Sequence, residues 1–347
     1  MSDLGRESIG TVDSHGMLGD VLDQPGQLLD ALWRVESAAV PRRDLSGGLL
    51  VCGMGGSAIG GDLARDAVGD RAERPILTLR DRSPGPWVGP DTLVLCASYS
   101  GDTEETLDCY RAAAQAGAPR VALTTGGALA EAARADGTPV IGVPAGLQPR
   151  AAVAYMVVAA LECAALCGAA PSLRGEIEAA SGSLTRRAAE WGPDGSEDGE
   201  AKTLARSLHG VLPVVYGIGL SRSVARRWKT QLNENAKAPA FFSTLPEADH
   251  NEVCGFEAGA RIASMYPIFL LPADLDGTLR RRVGVTAAVA EDAGAEGHQI
   301  TAPAGSRLEQ VLSLVLLGDL VSLYFAVLQG VDPTPVVAID RLKRALE

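Results

Sequence analysis

With 347 residues, 46% of them hydrophobic and 21% charged, the chain is long enough for two α/β domains of ordinary size and too apolar for wholesale disorder. A net charge of −12 without a long basic stretch argues against nucleic acid as a partner, because little is present to displace counterions along a phosphate backbone. An anionic small-molecule substrate must therefore be held by local donors working against the global field.

In chain order, the opening MSDLGRESIGTVDSHG lacks the basic-then-apolar layout of a secretory signal, so a cytoplasmic protein is expected. After the Pro25-Gly26 break, Gln27–Ala38 carries apolar residues at helical spacing and predicts an N-terminal helix packed on the succeeding domain. From Gly47 short apolar strands alternate with helices. GLLVCGMGG predicts a strand running into a glycine turn, AIGGDLARDAV a helix, PILTLR a strand, and TLVLCASYSGD a strand ending in Ser, Gly and Asp. TEETLDCYRAAAQAG reads as an amphipathic helix closed by Gly117, followed by strands in RVALTT and TPVIGVP. Such strands, separated by helices, imply a parallel sheet covered on both faces.

Two segments, Ala151–Ala170 and Leu308–Gly330, are apolar enough to suggest membrane spans, but each carries a central acid, Glu162 or Asp319, that is costly in lipid. Both are expected as buried core helices, with no membrane partner. The six cysteines lie mostly in apolar runs without a Cys-x-x-Cys pair, the pattern of reduced buried thiols. Residues 190–200, EWGPDGSEDGE, turn acidic and glycine-rich and read as a surface loop at a domain boundary. Beyond it VLPVVYGIGLSRSVARRWK repeats LLVCGMGGSAIGGDLARD, with Gly217 on Gly53, Gly219 on Gly55 and Ser221 on Ser57. A strand, a G-x-G turn, a serine and a helix occurring twice point to duplication. The expected organisation is a helical segment 1–45, one α/β domain in 46–190 and a second in 200–347, with strands in MYPIFLLP and HQITAP.

The turn Gly53-Met54-Gly55-Gly56-Ser57-Ala58 fits a dinucleotide fingerprint superficially, with Asp81 as a ribose acid, but a tight strand-to-helix turn needs glycine for geometry alone. The stretch Ser98-Tyr99-Ser100-Gly101-Asp102-Thr103 is more telling. It follows a parallel strand and precedes a helix, where α/β sheets bind ligands, and a helix N-terminus favours phosphate. A plain cap by Ser100 or Asp102, with Glu105 completing a capping box, is the competing reading. Three hydroxyls within six residues exceed what a cap needs.

GMGGSAIGGDL, SYSGDTEETL, NENAK and HNE resemble the sugar isomerase (SIS) domain family over nearly the whole chain. More narrowly, they resemble its bifunctional phosphoglucose/phosphomannose isomerases. The resemblance implies an α/β fold of two tandem SIS domains, each a flavodoxin-like doubly wound parallel sheet flanked by helices. It implies a phosphate held by Ser57, Ser98, Ser100 and Thr103 beside the Gly55 turn.

Aldose–ketose isomerisation moves a proton between C1 and C2 through a cis-enediol. It needs one base reaching both carbons, a group that opens the sugar ring, and a donor facing the developing oxyanion. WKTQLNENAKAPAFFSTLPEADHNEVCGFE supplies Glu234 and, sixteen residues on, His250. By composition alone Glu234 reads as a solvated helix residue and His250 as a surface or capping histidine. The resemblance implies Glu234 as the base, His250 as the ring-opening group reaching in from the partner of a homodimer, Arg150 beside the enediolate, and Lys343 near the ring oxygen. The four histidines are scattered and no His or Cys pair has ligand spacing, so neither metal nor cofactor is expected. A non-catalytic phosphosugar sensor is the alternative; it shares the phosphate cradle and has no use for Glu234, His250 and Arg150.

Overall fold

The computed structural model describes residues 4–259 and 263–346, which divide into two units with one parallel sheet apiece. The first unit comprises Asp23–Leu184 with Gly305–Leu312; the second comprises Met1–Leu22, Thr185–Ala304 and Ser313–Glu347. The short helices α1 (Arg6–Val12) and α2 (Met17–Leu22) thus belong to the second unit.

The first unit follows the chain as α3 (Gln24–Ser37), β1 (Gly48–Gly53), α4 (Gly55–Val68), β2 (Ile76–Leu79), β3 (Thr92–Ala97), α5 (Glu104–Gln115), β4 (Arg120–Thr124), α6 (Gly127–Ala135), β5 (Val140–Gly142) and α7 (Val153–Leu166). Its strands lie in the order β2-β1-β3-β4-β5, all parallel, so the order reverses between β1 and β3. Those two strands are buried at every position, as apolar hexapeptides with helices on both faces must be. The edge strands β2 and β5 are partly exposed. Helix α7 is buried through Ala164 and packs on α3 and α4, which is why its sequence shows no polar face. Helix α8 (Arg174–Trp191) runs across the division between the units.

The second unit continues with α9 (Glu200–Ser207), β6 (Leu212–Ile218), α10 (Arg222–Glu234), β7 (Phe241–Leu245), α11 (Phe256–Gly259), β8 (Met265–Leu271), α12 (Gly277–Asp292), β9 (His298–Thr301), α13 (Arg307–Leu328) and α14 (Val337–Leu346). The order β7-β6-β8-β9, again all parallel, repeats the first four positions of the other sheet. The acidic loop at 192–199 is held by Lys202, which is 1% exposed and donates to Pro193 O at 2.8 Å, Gly195 O at 3.1 Å and Glu197 Oε1 at 2.7 Å.

Among the described residues α13 alone is long and apolar enough to cross a membrane, yet nearly all of that window is buried in the fold. Its Asp319 accepts from Arg227 Nη2 at 2.7 Å and Nε at 3.1 Å, and from Gln231 Nε2 at 2.9 Å. Two desolvated charges persist there because each is met by the other and by further hydrogen bonds. Five of the six cysteines are buried and none is paired; Cys254 is the exposed exception.

Candidate active site

The functional geometry of the first unit starts where β1 and β3 end, on either side of the strand-order reversal. Helix α4 starts from Met54 and α5 from Thr103, and neither start receives a side-chain cap. The competing reading, a cap by Ser100 or Asp102, is therefore not what forms: Asp102 Oδ1 accepts instead from the Ala128 amide at 2.9 Å. The Thr103 hydroxyl turns toward Ser98 Oγ at 2.8 Å. Two helices of twelve or more residues thus begin with amides that no side chain serves, and their dipoles add to the attraction for an anion.

Hydroxyls surround these amides. Ser57 Oγ accepts from the Tyr99 amide at 3.2 Å, which ties the first turn of α4 to the end of β3. Ser98 Oγ accepts from the Gly101 amide at 3.0 Å, and Ser100 Oγ from the Asp102 amide at 3.2 Å. A serine that accepts a main-chain amide keeps its own proton to donate. Ser98 is 1% exposed, Thr103 half-buried and Ser100 exposed, so the three line the turn from floor to rim. The turn needs glycine at 101, where φ is +83° and a Cβ would stand 1.9 Å from Gly126 O.

Arg150 belongs to the same place. A Cβ on Gly56 would meet Pro149 O at 3.0 Å and Arg150 Cα and N at 3.1 Å, so the glycine turn lies directly against the arginine's backbone. The Arg150 side chain is 3% exposed, with Nη1 3.4 Å from Gln148 Oε1. Tyr99, which sequence reasoning passed over, fixes this approach: its hydroxyl donates to Pro144 O at 2.9 Å and accepts from the Leu147 amide at 2.9 Å. Gly55, Ser57, Ser98, Ser100, Thr103 and Arg150 thus lie in one unit.

The repeated turn of the second unit keeps the backbone conformation and buries its serine. Gly219 takes φ +59° where Gly55 takes +49°. Ser221, however, is fully buried and its hydroxyl is bonded to the Ile218 amide and carbonyl and to Leu270 O. The helix after β8 is closed as well, because Asp276 caps the Thr278 and Leu279 amides at 2.9 and 3.0 Å. A carboxylate at that helix start repels phosphate.

Glu234, His250 and Lys343 belong to the second unit. Glu234 is the last residue of α10 and half-buried. Asn235, fully buried, donates to Ser322 Oγ at 2.9 Å, and Asn233 donates to Ala238 O at 2.8 Å. Lys237, a second residue that sequence reasoning did not assign, donates to Glu234 O at 2.7 Å. His250 ends a short 3-10 turn, Glu247–His250, with its ring exposed. Its loop is bolted down on both sides. Tyr216 donates to Glu252 Oε1 at 2.7 Å, and Asp249 accepts from Thr286 Oγ1 at 2.7 Å. Burial, reinforced by the Glu252 carboxylate, pushes the Tyr216 phenol well up, so it stays a donor. Lys343 lies within α14; its side chain is outside the described residues.

Residues 197–346 match the model of the bacterial phospho-glucose isomerase C-terminal SIS domain. The chain is 39% identical over 302 residues to a bifunctional phosphoglucose/phosphomannose isomerase of Caldicellulosiruptor bescii, covering 86% of this chain and 89% of that one. It is 35% identical over 302 residues to one of Aquifex aeolicus, covering 86% and 90%. Among solved structures, the tagatose-6-phosphate ketose/aldose isomerase of Escherichia coli superposes with a TM-score of 0.69 at 15% identity, covering 93% of this chain and 95% of that one.

Proposed function

This chain belongs to the bifunctional phosphoglucose/phosphomannose isomerase family, and from that membership we propose how its residues divide the work. It is an isomerase of phosphorylated hexoses, taking glucose 6-phosphate, mannose 6-phosphate or both to and from fructose 6-phosphate. The reaction balances internally: the C2 proton moves to C1, the O2 proton moves to O1, and no atom is gained or lost.

In our reading the phosphate docks on the free amides of α4 and α5, with Ser57, Ser98, Ser100 and Thr103 donating hydroxyl protons and the Gly55 turn allowing close approach. His250 opens the sugar ring and Lys343 assists near the ring oxygen. Glu234 takes the proton from C2 and returns it to C1, while the fixed charge of Arg150 faces the cis-enediolate. The observation that carries this reading is the meeting of two uncapped helix starts with Arg150 at one strand-order reversal. We assign two tandem SIS domains of flavodoxin-like order within 46–190 and 200–347, after a helical segment 1–45; the recurring strand order and the family match over 197–346 support this. We further propose a metal-independent, cytoplasmic homodimer in which His250 serves the partner's site. Its exposed ring and braced loop suit such a role.

The test is turnover of both aldose phosphates with and without a strong chelator, in wild type and Glu234→Gln. Gln is isosteric and cannot accept the proton, so kcat should fall by at least roughly 10²–10⁴ while the chelator leaves wild type untouched. Wild-type exchange of the C2 proton in Glu234→Gln would show that another group is the base.

A further inference from the structure

We propose that Lys237 is a positioning residue for the base, its ammonium tying the end of the Glu234 helix to the segment that leads into α14 through a cage of four main-chain carbonyls. The inference rests on the reading of Glu234 as the proton-transferring group. Helix α10 ends at Glu234; the amides beyond it serve the Gln231 and Leu232 carbonyls, and Lys237 Nζ reaches the terminal Glu234 carbonyl. Lys237 follows in left-handed backbone, φ +53°, which a residue with a Cβ adopts only against steric resistance. From there Nζ turns back onto Glu234 O at 2.7 Å and Asn235 O at 3.3 Å, and reaches Asp332 O and Pro333 O at 2.9 Å each. An ammonium has three protons, and three short bonds with one longer contact can engage all of them. A lysine serving only the helix dipole needs one carbonyl, not four.

The far side of the cage is itself fixed. The Asp332 carboxylate accepts from the Thr334 amide at 2.9 Å and from the Ser14 hydroxyl, and stands 3.7 Å from His15 Nδ1. On the near side Asn235, bonded to Ser322 of α13, braces the residue after the base. Helix ends fray, and a carboxylate that serves two adjacent carbons in one encounter has to be held still between them.

The test uses full-length Lys237→Met and glucose 6-phosphate deuterated at C2, and reads the share of deuterium delivered to C1 against the share lost to water. That share belongs to each turnover and is independent of how much enzyme is folded. We expect kcat to fall about tenfold and the delivered share to fall at least about twofold. A delivered share equal to wild type overturns the proposal, whatever happens to kcat. Lys237→Ala is the second variant. Recovery of its delivered share in ammonium chloride, absent in tetramethylammonium chloride at equal ionic strength, supports the cage, and a share insensitive to ammonium overturns it. Glu234→Gln run alongside separates the two readings. If it still moves the C2 proton, the base is misassigned; if it does not while Lys237→Met keeps the wild-type share, only the positioning role falls.

Discussion

Ser98, Ser100 and Thr103 sit within six residues of one another but differ in what removing each hydroxyl does. Ser98 is buried and holds the Gly101 amide, so its loss disturbs the turn itself. Ser100 and Thr103 lie nearer solvent and can be truncated with the turn intact. Ser100→Ala and Thr103→Ala should each lower phosphosugar binding by about 1–3 kcal/mol, read as a raised KM with kcat nearly unchanged. An unchanged KM in both variants places the phosphate elsewhere. This cluster was legible in the sequence because its members are local. Tyr99 was not, because its role depends on reaching Pro144 and Leu147 across the sheet. The approach of Arg150 to Gly56 spans a similar gap, and only the family resemblance, not spacing, pointed to that arginine.

Helix α7 shows the same division between local and distant information at the scale of an element. Its continuous apolar run announced a buried helix, and Glu162 within it sits at the limit of what burial tolerates. Glu162 Oε2 accepts from Arg174 Nε at 3.1 Å, whereas Oε1 is buried without a hydrogen-bond partner among the described residues. Burial pushes this carboxyl above its ordinary value, with Arg174 opposing. Folding therefore favours the protonated form, and the stability the group contributes is present at acid pH and lost as pH rises through the folded pKa. Glu162→Gln keeps the neutral form, so it should raise the melting temperature at about pH 8 and leave it nearly unchanged at about pH 4. A loss of stability at both pH values would mean that the Arg174 pair outweighs desolvation. The central strands were as legible as α7, since burial on both faces leaves a solid apolar run. Strand β7 was not, because an edge strand is partly exposed and Phe241–Leu245 mixes Ser and Thr with its aromatics. Helix α12 escaped notice for a related reason: glycine, threonine and a run of arginines blur its periodicity.

At the scale of the whole molecule the two copies of the turn differ: the Ser57 turn leads into an uncapped helix, whereas Ser221 is buried and bonded to its own main chain. Glu234 and His250, proposed as base and ring-opening group, both belong to the second unit. If His250 serves the partner's site, mixing Glu234→Gln with His250→Ala subunits regenerates one intact site per mixed dimer, so about a quarter of wild-type activity should return after random exchange of a twofold dimer. No recovery would put His250 in its own subunit's site. The uncapped starts of α4 and α5 bear on a different property, the survival of the protein. When no anion is bound, those amides face water, and every phosphosugar that docks stabilises the folded state and not the unfolded one. Ligand at a hundredfold over its Kd adds about 2.7 kcal/mol by mass action. Inorganic phosphate should accordingly raise the melting temperature over chloride at equal ionic strength, and an identical melting temperature in the two salts would contradict it. With the phosphate docked there as proposed, the same linkage would make proteolytic lifetime follow the metabolite pool, the enzyme persisting while there is hexose phosphate to process and being cleared faster when the supply runs down.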